Sequence, residues 1–181
     1  MVLPSTLINI MFVFYKHVFK HRLGADAEKL WKFWADFFAM PIKREWASTN
    51  RYPCGDGDWS STVPLTAHED AGPCTQSKSA NCLSWSGLHG VGTEKLTKHL
   101  ICSNIKVAGK HDTNALRRLL VDFEESANGI YLGDHMWRFV LMFAKADEET
   151  HVNAWGLPSY NADNEVCSEV LRIWWKGRTP T

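Results

Sequence analysis

The sequence has 181 residues, with 20 Lys+Arg balanced by 20 Asp+Glu, 45% hydrophobic and 12% aromatic residues. A chain of this size buries roughly 70% of its unfolded surface on folding, so it builds one globular core without staples, and disorder, collagen and coiled coil are excluded. Zero formal charge excludes a surface given over entirely to phosphate contacts, although the balance is graded: +4 over residues 1–53, −1 over 54–115 and −3 over 116–181.

The first fifteen residues, MVLPSTLINIMFVFY, are apolar but interrupted by Pro4, Ser5, Thr6 and Asn9 and closed by Lys16. They fall short of the roughly 20 apolar residues that cross a bilayer, and they lack the basic start and small-residue cleavage site of a signal peptide. No membrane partner is expected. Leu7, Ile10, Met11, Phe14 and Val18 stand at helical spacing, which predicts one helix from about Ser5 to His21, ended by Gly24. A second helix is predicted from Asp26 to Phe38, with Leu30, Trp31, Trp34, Phe37 and Phe38 apolar and Pro41 as its stop.

Residues 50–61, NRYPCGDGDWSS, read as a loop, with Asp56 and Asp58 as turn formers. The D-G-D pair is not a calcium loop, because no bidentate Glu stands at the required spacing. Next come TVPLTAH, NCLSWSGL and LTKHLICSNIK, three runs rich in Val, Leu, Ile, Trp and Thr, which read as successive antiparallel strands. A covering helix is predicted from Thr113 to Ala127, with Leu116, Leu119, Leu120 and Phe123 inward. The nearly continuous apolar run 138–146, RFVLMFAKA, reads as a strand covered on both faces, with a buried helix segment as the alternative that length and β-branch content leave open. The acidic cluster Asp147-Glu148-Glu149 after it suits the first turn of another helix.

Three strands, a helix, a strand and a helix, preceded by helices, predict an α/β (α+β) fold: a ribonuclease-H-like mixed sheet with flanking helices. In such a sheet divalent cations need oxygen ligands converging from different strands. Asp70, at the end of the first strand, and Asp147, at the end of the fourth, are the candidates for a catalytic, metal-binding pair. His68 stands two before Asp70, on the same strand face, and is a weaker candidate ligand; Glu69 points the other way. Asp134 precedes the fourth strand and belongs to the wrong end of the sheet. Ser84 and Ser86 flank Trp85 without a G-x-S-x-G elbow. The stretch from Gly87 to Gly92, GLHGVG, lacks the dinucleotide fingerprint. Trp155, Tyr160, Trp174 and Trp175 are candidates for base stacking. Cys54, Cys74, Cys82, Cys102 and Cys167 make an odd count with no C-x-x-C pair, which predicts reduced thiols.

The segments VPLTAHEDAG, SWSGL, LICSNIK, FAKADEETHVNAWGLPSYN and EVC resemble, in order and spacing, the catalytic region of the DDE transposases of CACTA-type DNA transposons. They are closer still in texture to transposase-related proteins of dinoflagellates. The resemblance covers Thr62 to Glu169. It implies Asp70 and Asp147 as the first and second metal-binding carboxylates, Mg²⁺ or Mn²⁺ as cofactor, DNA as partner of the parent family, and an intracellular, nuclear setting. The closing C-x-x-C motif is degenerate, since Cys167 is followed by Val170 where the second cysteine belongs, and a thiolate zinc site does not close. The expected organisation is a helical region over 1–49, a loop over 50–61, an incomplete core over 62–169 and a divergent tail over 170–181. With no third carboxylate after Glu169, the resemblance implies a truncated, transposase-derived fragment inactive by itself. The alternative is a non-catalytic globular interaction module.

Overall fold

The computed structural model describes residues 3–41, 58–75, 78–93, 97–105 and 113–145. Its elements are α1 (Pro4–Phe14), α2 (Lys16–Leu23), α3 (Ala27–Ala39), a 3₁₀ turn (Trp59–Ser61), β1 (Thr62–Thr75), β2 (Lys78–Gly87), β3 (His99–Ile105), α4 (Thr113–Asn128), β4 (Ile130–Leu132) and β5 (His135–Lys145).

Each N-terminal helix has a local chemical cause. Pro4, at the first helical position of α1, carries no N–H that the helix would leave unpaired. Gly24 closes α2 in the left-handed conformation, at φ 67°, where a β-carbon would be strained. Asp26 opens α3 by accepting a hydrogen bond from the Lys29 backbone N–H at 3.3 Å, and Leu30 and Trp34 line the buried stripe of that helix. The single helix expected from Ser5 to His21 is two helices. Tyr15 leaves the helical region, at φ −137° and ψ 57°, and the chain turns there. The Phe12 and Phe19 rings then meet edge to face at 5.3 Å between centroids.

The sheet has the order β3-β2-β1-β5-β4. β1, β2 and β3 form the expected antiparallel meander. β5 returns on the other side of β1 and runs parallel to it, from Thr62 opposite Arg138 to His68 opposite Lys145. α4 makes the crossover that a parallel return requires. Between α4 and β5 lies the short strand β4, which pairs antiparallel with the start of β5. Pro64 sits in β1 near its start, and its carbonyl accepts from the Leu88 N–H at 2.8 Å. The N and C=O of one strand residue point to the same side, so the missing Pro N–H faces β2 just past its last pair, Leu65 with Gly87. The ladder to β5 loses no bond.

Side chains alternate between two cores. Val63, Leu65, Ala67, Leu83, Trp85, Ile101 and Phe139 share one buried cluster with Ile8 and Met11 of α1, Phe19 and Leu23 of α2, and Leu119 and Phe123 of α4. Val140 and Met142 point to the other face, where Trp34 of α3 joins them beneath Phe33, Phe37, Phe38 and Trp59. Residues 138–145 therefore belong to a strand with apolar side chains on both faces. Full burial of a side chain such as Leu65 or Phe139 contributes about 1.5–3 kcal/mol. Trp34 does more than fill space, because its indole Nε1–H donates to the Thr62 carbonyl at 2.7 Å and ties α3 to the start of β1.

The N-terminal helices are locked onto the sheet by close backbone approach. A β-carbon at Gly87 would lie 2.3 Å from the Leu23 carbonyl oxygen, and the Val91 N–H donates to the His21 carbonyl at 2.8 Å. Gly87 and Gly90 of GLHGVG thus serve the close approach of α2 to the end of β2.

Candidate functional site

The predicted site residues were expected at strand ends, and the register shows where the first of them falls. Asp70 is not at the end of β1. The strand continues to Thr75, and Asp70 is paired in register with Cys82 of β2. Gly72 and Pro73 gave the segment the look of a turn. The chain instead stays extended through a register shift between Pro73 and Thr75, kept in the ladder by β2. Asp147, Cys167, Val170, Trp155, Tyr160, Trp174 and Trp175 lie outside the described residues, as does the helix expected after Asp147.

Around the position of Asp70, β1 and β2 present hydroxyls, an imidazole and a thiol. Thr66 and Ser86, opposite each other, share a hydrogen bond between their hydroxyls at 3.0 Å. Ser84, opposite His68, donates its hydroxyl to the His68 carbonyl at 3.3 Å. These serines hold strand to strand. Cys82 places a half-buried thiol there. His68 lies opposite Lys145 of β5 as well as Ser84, so three strands meet at its level.

At the other end of the sheet the titratable groups have structural duties. Asp58 is the turn former that its context implied: its carbonyl accepts from the Ser61 N–H at 3.0 Å and from the Ser61 and Thr62 hydroxyls at 3.2 and 3.1 Å. Its carboxylate meets His135 Nε2 at 3.1 Å. Asp134 stands in the turn before β5, at the far end of that strand from Lys145. His89 and His99 lie beneath the ends of α2 and α3, with Phe33 against the first and Trp85 against the second. Burial holds both imidazoles below their ordinary pKa, with a smaller contribution from Lys29 on His89 and from Arg22 on His99. The backbone hydrogen bond from Lys29 lowers the pKa of Asp26, assisted by Lys20.

One buried acid escaped the sequence reading. Asp122 of α4 is 5% exposed and accepts from the Ser5 backbone N–H at 2.9 Å through Oδ2 and from the Ser5 hydroxyl through Oδ1. It caps the first turn of α1 from across the fold, where orphan donors and the helix dipole favour an anion. The signal was present, since Asp122 interrupts the inward stripe of Leu119 and Phe123. Among the described residues no three His, Cys, Asp or Glu side chains stand together to hold a metal ion, and no helix is long and apolar enough to cross a membrane. Comparison with models of protein families, with curated proteins and with solved structures finds no match to this chain.

Proposed function

We propose that the chain is built on a ribonuclease-H-like sheet of DDE-transposase type, a metal-dependent DNA-processing core in which Asp70 and Asp147 form the carboxylate pair. The observation that carries this reading is the parallel register of β1 and β5. The last paired residues, His68 and Lys145, each precede one of the two aspartates by two positions. Were that register to run two positions further, the two aspartates would stand on neighbouring strands about 4.8 Å apart, a separation at which two carboxylates could share divalent cations. The strand order supports it as well, with an antiparallel meander, a crossover helix and a strand returning parallel beside β1.

The donor chemistry fits Mg²⁺ or Mn²⁺, since two carboxylates are hard oxygen ligands, with His68 as a borderline third. The bound ion would polarise a phosphodiester and lower the pKa of water. The chain's own described part is the strand that carries Asp70, with the Ser84 hydroxyl bracing the His68 backbone two residues before it. Zinc has no role in the proposal, because Val170 replaces a thiolate. DNA as the substrate class, and a nuclear setting, follow from the same reading.

Calorimetric titration of Mn²⁺ tests the site. Wild-type protein is expected to bind, and Asp70→Asn and Asp147→Asn are each expected to weaken binding at least tenfold, the lower end of what losing even an outer-shell partner of a metal site costs. No heat with wild type, or equal binding by Asp70→Asn, overturns the proposal. A non-catalytic interaction module is the second reading, favoured by the exposed apolar end of α1.

A further inference from the structure

The break between α1 and α2 produces a corner unlike the rest of the described surface. Val13, Phe14, Tyr15, Lys16 and His17 are consecutive and all exposed. Phe14 is 73% exposed, Val13 54%, and Ile10 one turn earlier 40%. α1 buries Ile8 and Met11 on its inner side, so it is apolar both inward and outward, a pattern that calls for cover on the outer face. The cations follow at once: Lys16, Lys20 and Arg22 lie in α2, with Lys16, His17, Lys20 and His21 on its exposed face. No Asp or Glu occurs before Asp26. Lys20 is also held by Asp26 at 3.4 Å, whereas the Lys16 ammonium lies over the Phe12 ring, 5.8 Å from its centroid, at the corner itself.

We propose that this corner docks on an anionic lipid surface, as a peripheral contact that does not span. Ile10, Val13 and Phe14 enter the boundary between headgroups and acyl chains, Tyr15 lies at headgroup level, and Lys16, His17, Lys20 and His21 face the lipid phosphates. Charge selects an anionic partner. Phe14 and Tyr15 offer rings to either partner, and the aliphatic Ile10 and Val13, on which no base could stack, favour lipid over single-stranded nucleic acid. The order in the chain, apolar tip first and cations directly behind, matches the depth order of a membrane, with hydrocarbon beneath phosphate.

Cosedimentation of the full chain with vesicles of phosphatidylserine and phosphatidylcholine tests the proposal, with pure phosphatidylcholine vesicles and a single-stranded oligonucleotide as parallel arms. Binding to the anionic vesicles is expected, at least tenfold stronger than to the neutral ones. Phe14→Asp is expected to abolish it, and Lys16→Glu to weaken it by fivefold or more, since one cation near such a surface is worth about that factor. Both positions are exposed, and an unchanged melting temperature shows that the variants fold. Failure to sediment with anionic vesicles overturns the proposal. So does vesicle binding that Phe14→Asp leaves intact, or a Phe14-dependent self-association or oligonucleotide binding in place of the vesicle response.

Discussion

The clasp between Ser5 and Asp122 is the most exacting test of how this fold is held. Asp122→Ala removes two hydrogen bonds to a carboxyl group, joining residues 117 apart in sequence. Such bonds contribute about 1.5–3 kcal/mol each where they are dry. Ser5 is half-buried, so water recovers part of that, while the lost anion at the α1 N-terminus adds about 0.3–1 kcal/mol. The expected loss is about 2–4 kcal/mol, or about 4–16 °C in Tm for a domain of this size. Asp122→Asn keeps one acceptor oxygen and is expected to lose about half as much, and Ser5→Ala, which leaves the backbone donor in place, about 1 kcal/mol. Urea unfolding followed by tryptophan fluorescence supplies the four corners of a double-mutant cycle for Ser5→Ala and Asp122→Ala. Coupling of about 1 kcal/mol or more is expected. If Asp122→Ala costs less than about 0.5 kcal/mol, the range of an ordinary surface change, the clasp is decorative and the reasoning fails. The same holds if Ser5→Ala costs as much in the Asp122→Ala background as in wild type.

Two further outcomes test the lock between helices and sheet. Gly87→Ala forces a β-carbon to within 2.3 Å of the Leu23 carbonyl oxygen, where backbone faces backbone; a loss of about 2–3 kcal/mol is expected, and a variant as stable as wild type would show that α2 does not seat there. Because folding lowers the pKa of His89 and His99 from the ordinary 6.5, the unfolded chain takes up protons first as the pH falls. Stability is therefore fully present above about 6.5 and is lost on descent from there through the lowered values. Urea midpoints measured across that range should flatten in His99→Phe relative to wild type, and an identical pH profile in the variant would refute the assignment.

Much of the fold was legible because periodicity and punctuation agreed. Asp26 as a cap, the stripe of Leu30 and Trp34, the inward Leu119 and Phe123, and the β-rich runs each point to one element. The break at Tyr15 was not legible, since no glycine or proline marks it and the apolar spacing runs on through Val18. What bends the chain is tertiary, the meeting of Phe12 and Phe19 over the sheet. β4 is too short, at three residues, to show a period. The site was legible only as residue types in an order. That Asp70 lies inside a strand opposite Cys82 depends on β2 holding Gly72 and Pro73 in the ladder, and local turn chemistry argued for the reverse.

The parallel seam between β1 and β5 also governs how the protein is made. Val63 leaves the ribosome long before its partner Phe139; roughly 75 residues separate them, which at about 5–20 residues per second takes about 4–15 s. During that interval the meander of β1, β2 and β3 can close by itself, leaving one side of β1 as an open row of hydrogen-bonding groups. An open edge pairs with whatever strand arrives first, including the same strand of a neighbouring nascent chain. Slower initiation, which spaces ribosomes along the message, should therefore raise the soluble yield more than slower elongation, which lengthens the wait.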